Sequence, residues 1–184
     1  MKYELLKSDK LEYPGLTLYR VKYKNGEIGG YVESEKNLSQ DGNAQVYGNA
    51  RVSGNARVSG DARVSGDARV SGNARVSGDA RVSGNARVSG NAWVYGDAQV
   101  SGNARVYGDA RVSGNAWEKS PLFIVGTRHS LTNAKAGYIQ IGCHCQTYAW
   151  WKKHGAALGK KEGYTPAEIK EYCAYVELFA KIGR

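Results

Sequence analysis

Gly48-Asn49-Ala50-Arg51-Val52-Ser53 is one unit of the pattern that decides the architecture. Gly54 to Ser59 repeats it letter for letter, and Gly60 to Ser65 repeats it with Asp61 in place of Asn. Working outward, Gly recurs at every sixth position from Gly42 to Gly114, making thirteen units. Ala keeps the same step from Ala44 to Ala116, and Val keeps it from Val46 to Val112. Repetition this regular specifies a solenoid. Six residues are too few for a pair of helices, and Ala-x-Val alternates with period two. Ala and Val therefore point to one side of a short strand and Arg to the other. Ser-Gly-Asn/Asp supplies the corner, because Gly and Asn tolerate positive φ and the short polar side chains bond local backbone.

Three such sides close a coil of eighteen residues, so position i lies beside position i+18 of the next coil. The expected fold is mainly β: a triangular parallel β-solenoid of about four coils, about 20 Å long at ~4.8 Å per coil. Each coil buries three Val, at about 1.5–3 kcal/mol each, beside Ala that fits where the corners pinch.

The flanks read differently. Residues 1–41 are expected to form an N-terminal β-hairpin cap, with Leu16 to Tyr23 as one strand, Asn25-Gly26 as the turn and Ile28 to Val32 returning. A lid of this kind covers the apolar end and strand edges of the first coil. Residues 42–117 are the solenoid, and residues 118–184 are a small α/β module. In that module Phe123-Ile124-Val125 and Tyr138 to Ile141 read as strands, and Thr147 to about Leu158 reads as a helix stopping at Gly159. Thr165-Pro166-Ala167-Glu168 is a capping box with Pro at the first helical position. The helix it starts places Ile169, Tyr172, Val176 and Phe179 on one face.

Composition excludes several classes. The chain has 184 residues and a formal charge of +9. No apolar run reaches the length of a membrane span, and no secretory h-region follows Met1. Three cysteines, with Cys143 and Cys145 one residue apart, do not make a disulfide framework. The expected location is the cytoplasm, with no membrane partner. Charge is uneven: residues 1–41 balance, while residues 42–117 carry nine Arg against five Asp. Residues 118–184 carry ten positive and five negative side chains.

Two groups of residues are candidates for binding. Arg51, Arg69, Arg87 and Arg105 fall in one i+18 register and form a basic ladder, an anion-attracting surface. Tyr47, Tyr95, Tyr107 and Trp93 offer rings for stacking bases, a weak nucleic-acid signal without a reading element. The second group lies in the C-terminal module. Gly126 to Ser130, containing Arg128 and His129, is a polar turn after an apolar strand. Gly142 to Thr147, containing His144, leads into a helix N-terminus whose free N–H groups attract anions. Trp150 and Trp151 add aromatic surface, and Lys152 and Lys153 add positive field. Cys143-His144-Cys145 does not match a zinc spacing, and a strand would turn His144 away from its neighbours. Cys143, Cys145 and Cys173 are expected to be buried free thiols, with no metal and no cofactor.

Val-Ser-Gly-Asn-Ala-Arg is similar to the hexapeptide repeat of left-handed β-helix acyltransferases, where a small residue follows an aliphatic one by four positions. Its Val-x-Gly-x-Ala-x spacing also resembles that of bactofilin-type polymer-forming proteins. Over nearly its whole length the chain resembles phage and prophage repeat proteins of this "polymer-forming" type. In those a segment like Gly29-Gly30-Tyr31-Val32-Glu33-Ser34-Glu35-Lys36-Asn37-Leu38-Ser39 leads into the repeats, and a small module follows. Acyl transfer needs a general base, usually His. His129, His144 and His154 all lie outside the repeats, and no loop interrupts the thirteen units to wall a pocket, so no enzyme is expected. The resemblance implies a phage-type accessory binding protein with a homo-oligomeric solenoid scaffold. Its C-terminal module is expected to bind a host protein or sequester an anionic, nucleotide-like ligand, countering host defence. The alternatives are a structural polymer-former and a hexapeptide-repeat acyltransferase.

Overall fold

The computed structural model describes residues 1–114 and 116–183, and the backbone but not the side chain of Ala116. Asn115, a corner residue of the repeat, lies outside the described residues. Two compact units emerge: residues 1–109 with 113–120, and residues 110–112 with 121–184. Among the described residues no helix is long and apolar enough to cross a membrane.

The first unit opens with three antiparallel strands, β1 (Tyr3–Tyr13), β2 (Leu16–Tyr23) and β3 (Ile28–Val32). Strand β1 went unrecognised in the sequence because Lys, Asp and Glu interrupt its alternation; it pairs along β2 with a bulge between Leu6 and Lys10. After β3, one 3-10 turn (Glu35–Asn37) leads into very short strands, one every six residues. These are β4 (Gln45–Val46), β5 (Arg51–Val52), β6 (Arg57–Val58), β7 (Arg63–Val64), β8 (Arg69–Val70) and β9 (Arg75–Val76). They continue as β10 (Arg81–Val82), β11 (Arg87–Val88), β12 (Trp93–Tyr95), β13 (Gln99–Val100) and β14 (Arg105–Val106). Strands β15 (Arg111–Ser113) and β16 (Ala116–Trp117) complete the series.

From β4 to β14 the strands stack in parallel at i+18, on three faces. The first face orders β3-β5-β8-β11-β14 and extends outward through β2 and β1; another orders β4-β7-β10-β13-β16, and β6, β9 and β12 stack on the remaining one. Register is uniform: Arg51 faces Arg69, Arg69 faces Arg87, and Arg87 faces Arg105. Between coils, the Arg51 N–H donates to the Ala68 carbonyl and the Ser53 N–H to the Val70 carbonyl, at 2.9 and 3.0 Å. Every Val from Val46 to Val112 and every Ala from Ala44 to Ala110 at the repeat positions is buried. The corner glycines take φ values such as +67° at Gly72 and +71° at Gly90, in the left-handed region where a Cβ is penalised.

The stack is five strands deep, against about four coils expected, because coils begin before the first regular unit. Tyr31 pairs with Arg51 and Val32 with Val52, twenty residues ahead, and Leu38 bridges to Val58. Val32 and Leu38 are fully buried in the places that repeat valines take above them. Buried Asn37 anchors this irregular coil by donating to the Gly54 and Ala56 carbonyls, both at 2.9 Å. At the other end Val100 pairs with Trp117, seventeen residues on instead of eighteen. Ser120 there accepts the Arg105 N–H through its hydroxyl at 2.9 Å.

The second unit holds an antiparallel sheet of β17 (Phe123–Val125), β18 (Ser130–Lys135), β19 (Tyr138–Ile141) and β20 (His144–Thr147). Two helices follow, α1 (Tyr148–Lys161) and α2 (Pro166–Ile182). Strands β18 and β20 were not anticipated, since Ser130–Lys135 and His144–Thr147 are polar for strands. Leu131, Ile139, Trp151, Tyr172, Val176 and Phe179 form the core, while Ile169 is only half-buried. Helix α2 starts as expected: Thr165 accepts from the Glu168 N–H, and Glu168 accepts from the Thr165 N–H. Helix α1 does not stop at Gly159 but runs two residues further, carried by tertiary packing against α2.

Candidate functional site

The site is a recess of about 160 Å³ within the second unit. Its floor is apolar, from Ile141 on β19, Trp151 and Leu158 on α1, and Ile169 and Val176 on α2. Two of its lining residues on α1 carry no side chain. Gly155 and Gly159 lie one and two turns beyond Trp151 on the same face, so the helix surface recedes there. A Cβ at Gly159 would stand 3.2 Å from Ile169 Cγ1, and one at Gly155 would stand 3.3 Å from Trp151 Cε3.

Two turns supply the rim. The β17–β18 turn brings Arg128 and His129, and the β19–β20 turn brings Gly142, Cys143 and His144. Gly142, at φ +55°, lets the turns approach, since a Cβ there would meet the His129 ring at 3.3 Å. Glu162 and Tyr164 come from the α1–α2 connection, and Tyr172 and Cys173 from α2.

Aromatic rings wall the recess in fixed orientations. The Trp151 indole N–H donates to the Ile139 carbonyl at 3.0 Å, and His144 stands edge-on to it. Tyr164 meets Tyr172 edge-on, with centroids 5.3 Å apart, and tilts against His129 at 6.3 Å. Burial pushes the Tyr164 phenol above its ordinary value. The Tyr172 hydroxyl accepts the Arg128 and His129 N–H groups and donates to the His129 carbonyl, which fixes the first rim turn. Glu171 ties the same turn to α2. Its carboxyl lies below the usual carboxylate range because the Thr127 hydroxyl and then the Thr127 N–H donate to it.

Of the residues singled out in the sequence, Arg128, His129, His144 and Trp151 line the recess together. Thr147 does not: its hydroxyl accepts the Trp150 N–H at 3.1 Å and caps α1. Trp150 packs edge-on against Trp151 and beside His154, outside the lining. Lys152 and Lys153 are exposed on α1 and do not line the recess. Arg128 is committed as well, pairing with Glu168 at 3.1 Å, reaching the Glu162 carbonyl and lying 4.7 Å over the Tyr164 ring. The guanidinium meant for an anion thus holds the wall.

Cys143 and Cys173 are exposed and Cys145 is partly buried, which corrects the expectation of buried thiols; turn and helix-surface positions leave two of them at the recess edge. Among the described residues no group of three His, Cys, Asp or Glu side chains is arranged to hold a metal ion. Sequence reasoning missed Gly155, Gly159, Tyr164 and Tyr172 as site residues. The paired glycines, four apart inside a helix, were the available signal.

Comparison with known proteins reaches the repeats. The YdcK Beta solenoid repeat model matches residues 44–60, 56–70, 68–83, 80–96, 98–114 and 104–119. No curated protein matches the chain. With the stacked register above, this makes the chain a β-solenoid repeat protein whose coils are similar to the YdcK solenoid repeat.

Proposed function

We propose that this is a non-catalytic binding protein whose solenoid is a rigid scaffold and whose second unit takes up a flat heteroaromatic ring. The observation that carries the reading is the recess over Gly155 and Gly159, walled by Trp151, Tyr164, Tyr172, His129 and His144. At about 160 Å³ it is below the ~300 Å³ at which whole drug-sized ligands fit. A nucleobase matches that room, with ring faces against the aromatic walls and its polar edge toward the His129, His144 and Glu162 rim. The phosphates of a nucleotide would remain in solvent, favoured by the excess of ten positive over five negative side chains in residues 118–184. In the phage-type accessory role, such a site withdraws a host nucleotide from solution. The scaffold would present several copies in a homo-oligomer.

Calorimetric titration with nucleobases, nucleosides and nucleotides tests this. Nucleosides are expected to bind, and their monophosphates more tightly at low salt, with Tyr164→Ala and Gly155→Leu weakening both at least about tenfold. No heat with any member of the panel, or full affinity in both variants, contradicts it.

A further inference from the structure

The outward residues of the solenoid are not alike on its three sides. The β5-β8-β11-β14 stack presents Arg51, Arg69, Arg87 and Arg105 in one row. On another face the same row reads Gln45, Arg63, Arg81 and Gln99. On the remaining one Trp93 follows Arg57 and Arg75. The acidic residues are segregated too. Asp61, Asp79 and Asp97 share one corner column, on the edge opposite the four-Arg face.

Three carboxylates border that face, Glu33, Asp67 and Asp109, and each is engaged: Glu33 accepts the Gly54 N–H at 2.6 Å, and the two aspartates accept along their own columns. Asp67 accepts from Asn49 at 3.3 Å, and Asp109 accepts from Asn91 at 2.9 Å. Among the described residues none of the four ladder Arg forms an ion pair. Four guanidiniums at ~4.8 Å spacing repel one another, so a bound polyanion gains what this repulsion costs. An aromatic ring stands at one end of the row: Tyr13, 41% exposed, lies 5.5 Å from the Arg51 guanidinium.

The geometry points to this face as a binding site for single-stranded nucleic acid, with Arg51, Arg69, Arg87 and Arg105 tracking the phosphodiester backbone and Tyr13 stacking a base. A charged track combined with aromatic platforms is the arrangement that binds single strands without reading their sequence. The flat face offers no helix or ribbon to enter a duplex groove.

The test is fluorescence anisotropy of the full chain with labelled oligothymidine and a matched RNA across a salt series. Both strands are expected to bind, with a slope of log K against log salt near ~−2.8 for four phosphate contacts. R69Q/R87Q should weaken binding at least about tenfold and halve the slope to ~−1.4. Tyr13→Ala should cost about fivefold or more through lost stacking. R63Q/R81Q, on another face, should bind like the parent. The assignment fails if neither strand binds at low salt, or if R63Q/R81Q loses as much as R69Q/R87Q. It also fails if a duplex, base-free polyphosphate or polyglutamate binds more tightly than the single strands. Salt-sensitive self-association that R69Q/R87Q abolishes, without nucleic-acid binding, would instead give the face to the acidic edge of a second copy.

Discussion

The hydroxyl of Tyr172 and the backbone of His129 are bonded in both directions: the His129 N–H donates to the phenol oxygen, and the phenol donates to the His129 carbonyl at 2.8 Å. The Arg128 N–H donates to the same oxygen at 2.9 Å. One side chain on α2 therefore sets the position of the turn that forms half of the recess rim.

Tyr172→Phe keeps the ring and removes all three bonds, leaving two N–H groups of the turn without their partner. Loss of a partly buried partner costs about 1–3 kcal/mol. Urea unfolding should show that loss in the second unit, with nucleoside affinity reduced in the same variant. Unchanged stability and affinity would show the turn to be held by other groups.

The alternation of inward Val and outward Arg is tested by a matched pair. Val76 is fully buried, so Val76→Ala should destabilise the solenoid by about 1–3 kcal/mol. Arg75→Ala, one residue away and exposed, should stay within about 0.5 kcal/mol. Guanidinium melts followed by far-ultraviolet circular dichroism read both.

A second pair separates stacking from backbone strain. Gly90 and Gly96 both sit at positive φ, +71° and +62°. A Cβ at Gly90 would meet the Gly108 nitrogen at 2.9 Å, whereas one at Gly96 would meet nothing within 4 Å. Each Ala substitution should cost about 1–2 kcal/mol from conformation alone. Gly90→Ala should lose more, because backbone of the next coil must also shift. Equal losses in thermal melts would mean that the corner columns are not in contact.

Acid should loosen the recess rim. The Glu168 carboxyl is held below its ordinary value of 4.5 first by the Thr165 N–H, with the Thr165 hydroxyl and Arg128 adding to it against desolvation. Glu171 is lowered in the same sense by Thr127. A carboxyl lowered in the folded state contributes stability that is present above its ordinary value and is lost as pH falls through the folded one. Melting temperature should therefore drop as pH falls below about 4.5, with the Trp151 environment changing in the same range. Glu168→Gln and Glu171→Gln should flatten that dependence.

The solenoid was legible because its determinants are local and repeated. Each Ala44-like and Val46-like position states its own side of the strand, and the i+18 pairing follows from closing three equal sides. Strand β1 was not legible, since its pattern is broken at Lys7, Ser8, Asp9 and Lys10, where the bulge falls. The early start at Tyr31 and Leu38 was hidden for a related reason: their twenty-residue offset breaks the period. Arg128, His129, His144 and Trp151 line one recess, and each stands at an end of an element or beside one. Nothing in the order of residues says that Glu168 and Tyr164 take up the Arg128 guanidinium, or that Thr147 closes the helix N-terminus. Those partners lie 36 and 40 residues away or in the cap itself, and only packing of the second unit brings them in.

The most direct test of ring binding is a two-dimensional ¹⁵N–¹H titration of the full chain with nucleoside monophosphates. The account predicts saturable shifts of the Trp151 indole N–H and of the amides of Arg128, His129, Gly142 and His144, converging on one dissociation constant. Signals at those positions that stay fixed at millimolar ligand, or that move only along the arginine row, would contradict it.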